Sequence, residues 1–338
     1  MKRTFTILVT LLLPLILLSG CMSNKPKSNE HSAAQSNGDI PEWVKTPPSD
    51  NLISMHGIGE GYNLDSAKQS ALKDIAGKLA TNVKSESENR DYLYNGMGSS
   101  AFQQKINTQI KDTKLTNYEV LKTAQNQGQT YVLIAMSRSA FVKDKLDQLK
   151  EINSKIKSEL SQVEQKNKLL QLLSYNKAIQ LSDQARPLIY LIHAADSEQN
   201  KQSDLETYRA YEQKEKHLSE STKFFLSSDP SLAPLVDQIK KVLQTNGFQI
   251  GSRASADSLL VISGSITENE IFSSKNVKID FDVQVKTAAG HVISSNSYQL
   301  TNSSMTSYAV AQQNALASFR SQIESKSEVY KMLGLSTP

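Results

Sequence analysis

The chain has 338 residues, with 38 Lys and Arg against 34 Asp and Glu and a formal net charge of +4, a balance that gives no footprint for nucleic acid. Aromatic residues make up 7% and charged residues 21%, which suits a globular protein with room for two modest domains of about 100 to 200 residues each. Cys21 is the only cysteine, so an intramolecular disulfide and a cysteine metal site are both excluded. The histidines, His31, His56, His193, His217 and His291, stand apart without the convergent spacing of a metal site, and no metal or cofactor is expected.

Lys2 and Arg3 precede an apolar run from Phe5 to Leu18, followed by the small residues Ser19 and Gly20. That pattern is a secretory signal. The run of fourteen residues contains Pro14 and is short of the roughly twenty apolar residues that a spanning helix needs. Leu18-Ser19-Gly20-Cys21 resembles the lipobox of bacterial lipoproteins at all four positions. The resemblance implies that the signal, residues 1–20, is cut before Cys21. It also implies that the Cys21 thiol takes a diacylglyceryl group and that its new amino group is acylated, giving an S-diacylglycerol, N-palmitoyl cysteine. Such a lipid would hold the protein firmly on a membrane, since each buried methylene adds about 0.8 kcal/mol and stable anchoring takes more than one chain. Loss of Lys2 and Arg3 with the signal takes the net charge from +4 to +2. Met22 and Ser23 follow the cysteine in place of the Asp associated with inner-membrane retention, so outer-membrane sorting is expected, on the periplasmic face in preference to the cell surface.

Residues 21–40 read as the lipidated cysteine and a polar, aperiodic tether, which at that length spans on the order of 25 Å. A first α+β domain is expected over residues 41–140. Its extended opening is Pro41-Glu42-Trp43-Val44-Lys45-Thr46-Pro47-Pro48, where each proline biases the preceding residue away from helix. A strand follows over Ile53 to Gly61, and Asn63 can cap a helix from Leu64. Ala67, Ala71, Ile75, Leu79 and Val83 form one apolar stripe, with small residues where the helix can approach a sheet closely. A polar loop over 82–100 carries Tyr92 and Tyr94. A helix over Phe102 to Ile110 and strands near Leu115 to Thr123 and Thr130 to Met136 complete the unit, the strands joined as a hairpin through Asn126-Gln127-Gly128-Gln129.

This segment resembles the LPP-twenty family of bacterial outer-membrane lipoproteins. The resemblance rests on Pro41, Trp43, Pro47 and Pro48 at the opening, on Gly57, Gly59 and Gly61, on the alanine-rich helix from Ala67 to Ala80 and on the closing strand Tyr131-Val132-Leu133. It implies compartment and fold rather than an activity.

Residues 141–221 read as a helical spacer. A heptad seam runs through Val142, Leu146, Leu149, Asn153, Ile156, Leu160, Val163, Asn167 and Leu170, and such a seam must pack on another helix. An intramolecular hairpin is preferred to an intermolecular coiled coil, because helices that could cover it follow at Ala185 to Ala195 and Leu205 to Leu218. A second α+β domain is expected over 222–325, with residues 326–338 as a tail. Its elements are a strand at Lys223 to Leu226, a helix from Leu232 to Leu243, a strand at Ser258 to Ile266, the alternating strand Val277 to Val285, a further strand Val292 to Leu300 and a helix from Ser307 to Ile323. The fold class is therefore α+β: two small sandwiches of helices on a mainly antiparallel sheet, joined by a helical hairpin.

Catalytic patterns are scarce. Gly57-x-Gly59-x-Gly61 lacks the spacing and the cation of a phosphate loop and reads as a tight strand-to-helix turn. Asp280 and Asp282 share a strand face with Lys278 and Lys286, which reads as solvated surface rather than an acid–base pair. Tyr92 and Tyr94 are candidate partner contacts, with covering of their own sheet edge as the alternative. The functional expectation is a non-enzymatic, lipid-anchored scaffold of the envelope that binds a protein or peptidoglycan partner. The alternative is a periplasmic enzyme acting on a wall or lipid substrate, with groups that converge only in three dimensions.

Overall fold

The computed structural model describes residues 34–35, 39–88, 104, 108 and 117–335. Among them the chain forms eight helices and two sheets, an α+β fold. The first sheet contains β1 (Ala34–Gln35), β2 (Ser54–Gly61), β3 (Tyr118–Asn126) and β4 (Gln129–Ser137) in the order β1-β3-β4-β2. β2, β4 and β3 are antiparallel, and the two residues of β1, within the segment read as a tether, add a parallel pairing to β3. The opening differs from the extended chain expected. Glu42–Lys45 close one turn of helix, α1, through Thr46 N–H donating to the Glu42 carbonyl at 2.8 Å. Pro41 precedes that turn with φ of −55° and disfavours helix only for the residue before it.

The β3–β4 hairpin turns at Gln127 and Gly128, both with positive φ (48° and 80°), the conformation that matches the twist of the flanking strands. α2 (Leu64–Glu88) starts where expected: Asn63 Oδ1 accepts from Ser66 N–H at 2.8 Å, and Ser66 Oγ accepts from Asn63 N–H at 3.2 Å, a reciprocal cap. All five stripe residues of α2 are buried. The three glycines do not form the strand-to-helix turn that was expected. They lie within β2 itself, and a Cβ on Gly59 would stand 2.0 Å from the Ala67 carbonyl oxygen, one on Gly57 2.3 Å from that of Ala71. Bare strand and small helix residues let the two backbones touch.

The helical region comprises α3 (Arg138–Leu160), a single 3-10 turn at Val163–Gln165, α4 (Lys168–Ala195) and α5 (Gln202–Ser221). The heptad seam does not continue as one helix to Leu170: Ser161 and Gln162 break it, Gln162 in the left-handed region at φ 59°, and Asn167 caps α4 by accepting from Leu170 N–H at 2.9 Å. α4 therefore begins seventeen residues before the expected Ala185 and passes through Pro187, and it packs along α3 as an intramolecular hairpin. Asn153 of the seam bonds across to α5: it accepts from the Tyr208 hydroxyl at 2.6 Å and donates to Asp204 at 3.1 Å.

These helices are built into the cores of both flanking units. Ala185, Leu188 and Ile192 of α4 pack with the α2–β2–β4 core, whereas Leu169, Leu172 and Tyr175 at its start pack with the C-terminal core. α5 is divided in the same way between Tyr208 and Leu218.

The C-terminal sheet contains β5 (Lys223–Ser228), β6 (Gln249–Ile250), β7 (Ser258–Ile271), β8 (Ser274–Thr287) and β9 (Val292–Ser304) in the order β6-β5-β7-β8-β9. It is mixed: β5 runs parallel to both neighbours, and β7, β8 and β9 are antiparallel. α6 (Ala233–Thr245) and α7 (Tyr308–Gln322) contribute Ile239, Leu243, Ala315 and Phe319 to its core, against Val277, Ile279, Phe281, Val283 and Val285 of β8. Residues 326–335, read as a tail, are a correction. Lys326–Met332 form α8, and Val329, Met332, Leu333 and Leu335 are buried in the same core.

Candidate functional site

Cys21, Tyr92 and Tyr94 lie outside the described residues, as does the expected Phe102 to Ile110 helix apart from the helical Gln104 and Thr108. Asp280 and Asp282 are held in a solvated ladder. Asp280 accepts from Gln299 Nε2 at 2.7 Å and pairs with Lys278 at 2.9 Å, and Asp282 accepts from Ser297 Oγ at 2.5 Å. The hydrogen bonds from Lys278 and then Gln299 hold the Asp280 carboxyl below its usual range. Lys278 balances the charge of Asp280, and Asp282 is held by a neutral hydroxyl, both on the solvent-facing side of the sheet.

The concave surfaces among the described residues include two grooves. One of about 640 Å³ lies between α6 and α7, with Asp237, Lys241, Arg320 and Glu324 on its walls. Another, of about 330 Å³, lies beside the α4–α5 connection and includes His193 and Lys201. The side chains whose proton affinity is moved furthest sit elsewhere. Burial raises the Tyr208 hydroxyl, and it raises Tyr330 still more, with the Glu215 carboxylate adding to it. Tyr330 donates to Glu215 Oε1, and Lys326 reaches Glu215 Oε2 at 2.9 Å. Glu215 is buried, so a carboxylate on α5 is satisfied by two donors from α8. This pin docks the last helix onto the helical region.

Two turns carry bare apolar side chains into solvent. Leu52 and Ile53, ahead of β2, are 95% and 76% exposed. Asn51 holds their loop in shape: its Oδ1 accepts from Ile53 and Ser54 N–H at 2.8 Å each, and its carbonyl accepts from Arg138 Nε at 2.7 Å. At the far end of the C-terminal sheet the β7–β8 hairpin turns at Phe272 and Ser273, both with positive φ (49° and 64°). Phe272 is 98% exposed, beside Ile271 at 51%. Met305, 73% exposed, follows β9, whose Ser304 pairs with Lys275 next to the same turn. A bulky residue in the left-handed region costs roughly 1–2 kcal/mol, and here no burial of its ring offsets that cost. No local pattern marks this turn, since Phe272-Ser273 contains none of the Gly, Asn or Asp typical of such hairpins. A shallow, apolar, fixed point of this kind can anchor a partner surface; it cannot perform acid–base or nucleophilic chemistry.

Residues 41–137 match the LPP20 lipoprotein family. No curated protein matches the chain. Among solved structures it is similar to the secreted protein HP1454 from Helicobacter pylori, with 13% identity, a TM-score of 0.42, and coverage of 83% of this chain and 98% of that one. It is also similar to a minor lipoprotein from Acinetobacter baumannii, with 14% identity, a TM-score of 0.29, and coverage of 32% and 92%. The lipoprotein GNA1162 from Neisseria meningitidis matches with 13% identity, a TM-score of 0.19, and coverage of 30% and 97%.

Proposed function

We propose that the protein is an outer-membrane lipoprotein, anchored through lipids on Cys21, that acts without catalysis as a scaffold at the periplasmic face by binding an envelope protein or peptidoglycan. The observation that carries this reading is the pair of solvent-facing apolar turns at Leu52–Ile53 and Ile271–Phe272. Strain kept at an exposed position is a reason to look for a use of that position. Tyr92 and Tyr94 remain proposed as a further contact. The lipidated cysteine and the chain ahead of β1 would link such a scaffold to the membrane, while the described residues present the turns.

The test uses the intact lipoprotein purified from crosslinked envelopes. Phe272→Asn, which keeps a residue at ease in the left-handed region, is expected to lose partner adducts while its lipid label and melting temperature are retained. Cys21→Ala is expected to lose incorporation of a fatty-acid probe. Unchanged adducts in Phe272→Asn combined with Leu52→Ser would remove both turns from the account. Hydrolysis of purified wall or lipid substrate by the intact protein would overturn its non-enzymatic part.

A further inference from the structure

The two sheets have four edges, and three of them are closed by recognisable devices. β1 and β6 are two residues long, and the strand stretches they leave uncovered are blunted in other ways: β3 has Glu119, Lys122 and a bulge between Val120 and Lys122, and only four residues of β5 extend past β6. β2 is longer, but side chains and a turn occupy its outward backbone groups. The N–H and carbonyl of Ser54 bond to Asn51, the N–H of His56 donates to Asp50 at 2.8 Å, the carbonyl of His56 accepts from Lys78 Nζ at 2.8 Å, and the N–H of Ile58 donates to Asp74 at 3.2 Å.

β9 has none of these protections. It is thirteen residues long, it is an edge strand bonded only to β8, and it contains no charge, no proline and no glycine between Val292 and Ser304. Natural edges are normally blunted by Lys, Pro, short length or bulges. The irregularity in its pairing lies at its very start, between Val285 and Lys286 of β8. Among the described residues, the backbone bonds of β9 beyond β8 are limited to Ser303 N–H donating to the neighbouring Asn302 side chain. The exposed side chains of the strand, Ser295, Ser297, Gln299, Thr301 and Ser303, alternate along its solvent face.

We infer that β9 pairs edge to edge with β9 of a second copy of this chain, in antiparallel register about a two-fold axis, giving one continuous sheet. The occupant follows from the side chains. Recognition of a foreign strand takes its specificity from pockets for alternate side chains, and a row of Ser, Thr and Gln supplies no pocket. Self-pairing needs none. In any register a neutral residue of one copy faces a neutral residue of the other, and Ser and Thr pairs across strands are favourable. A strand without charge is also one in which a two-fold axis creates no like-charge contact within the pair. This pairing is independent of partner binding at the turns.

The test is sedimentation of the full-length chain in detergent over a range of concentrations, with Ser295→Lys/Ser303→Lys and Ser295→Glu/Ser303→Glu variants. Both sites are exposed and face the neutral Gln284 and Asn276 on β8, so neither pair of changes disturbs an ion pair within one copy. The wild type is expected to dimerise, each variant alone to dimerise about tenfold more weakly or not at all, and an equimolar mixture of the two to recover the dimer. A wild type that stays monomeric, or a dimer indifferent to the lysines, overturns the inference. Should a variant fail to fold, hydrogen exchange of the wild type decides. Protection of β9 amides that rises with protein concentration supports the pairing, and protection independent of concentration refutes it.

Discussion

β2 and β9 are both long edge strands flanked by helices, yet the chain treats them in opposite ways. β2 is pressed against α2 through Gly57 and Gly59 on one side and stoppered by Asn51, Asp50, Lys78 and Asp74 along its free edge. β9 carries its neutral, polar face and its unpaired backbone into solvent, and the neighbouring β7–β8 hairpin ends in an exposed Phe272. Secondary structure alone does not distinguish a strand that serves the frame from one that offers a surface. What distinguishes them is where the side chains of adjacent elements go, toward the free backbone in one case and away from it in the other.

The largest expected effect comes from breaking the frame. Gly59→Val puts a side chain into the Ala67 carbonyl, which is backbone and cannot swing aside. It should cost more than the roughly 1–3 kcal/mol of ordinary overpacking, whereas Ser295→Val on the face of β9 should stay within about 0.5 kcal/mol. Urea unfolding of the two proteins makes the contrast directly. Next in size, Asp50→Ala with Asp74→Ala removes two acceptors from β2, each worth about 0.5–1.5 kcal/mol. It should convert the closed edge into an open one, seen as lowered stability together with light scattering that grows with concentration.

How much of this contrast was legible in the sequence depends on the range of the interaction concerned. The α2 stripe, the Asn63 cap, the β3–β4 turn and the strict alternation of β8 were readable because each is set by residues within a few positions of one another. The purpose of Gly57 and Gly59 was misread, since a glycine that admits a neighbouring helix looks in sequence like one that makes a turn. α8 was missed because Lys326–Met332 is too short for a periodic signal, and its retention depends on Glu215, more than a hundred residues away. The stoppers of β2 and the openness of β9 are properties of the edges, and no local pattern encodes which strand lies last in a sheet. The expected site residues Cys21, Tyr92 and Tyr94 lie outside the described residues, and the strained Phe272 turn carries no turn residue to mark it.

A third prediction concerns the pin that closes the C-terminal unit. Tyr330 is raised by burial and then by Glu215, Tyr208 by burial, and Tyr298 by burial and then Glu328. Each folded value lies above the unfolded value of about 10, so the folded state holds these protons more tightly. Stability from this source is fully present below about pH 10 and is lost as pH rises further toward the folded values. Tyr330→Phe should lower stability at neutral pH by about 1–3 kcal/mol, by leaving Glu215 short of a donor, and should flatten the alkaline fall. Urea midpoints at about pH 8 and about pH 11 read both effects.

The smallest effect has the opposite sign. Phe272→Asn with Ser273→Gly supplies the residues that a turn with two positive φ values prefers and should raise stability by about 1 kcal/mol. A gain in melting temperature from removing an exposed aromatic would mark that aromatic as kept for something other than folding.

Crosslinking at defined positions in living envelopes tests the central claim most directly, namely that recognition uses the exposed turns and not the closed edge of β2. A photoreactive residue placed in turn at position 272, at position 52 and at position 60, an exposed position of β2, in the full-length lipoprotein should give discrete adducts with an envelope component at 272 and 52 and none at 60. Adducts confined to position 60, with none at either turn, would contradict the account.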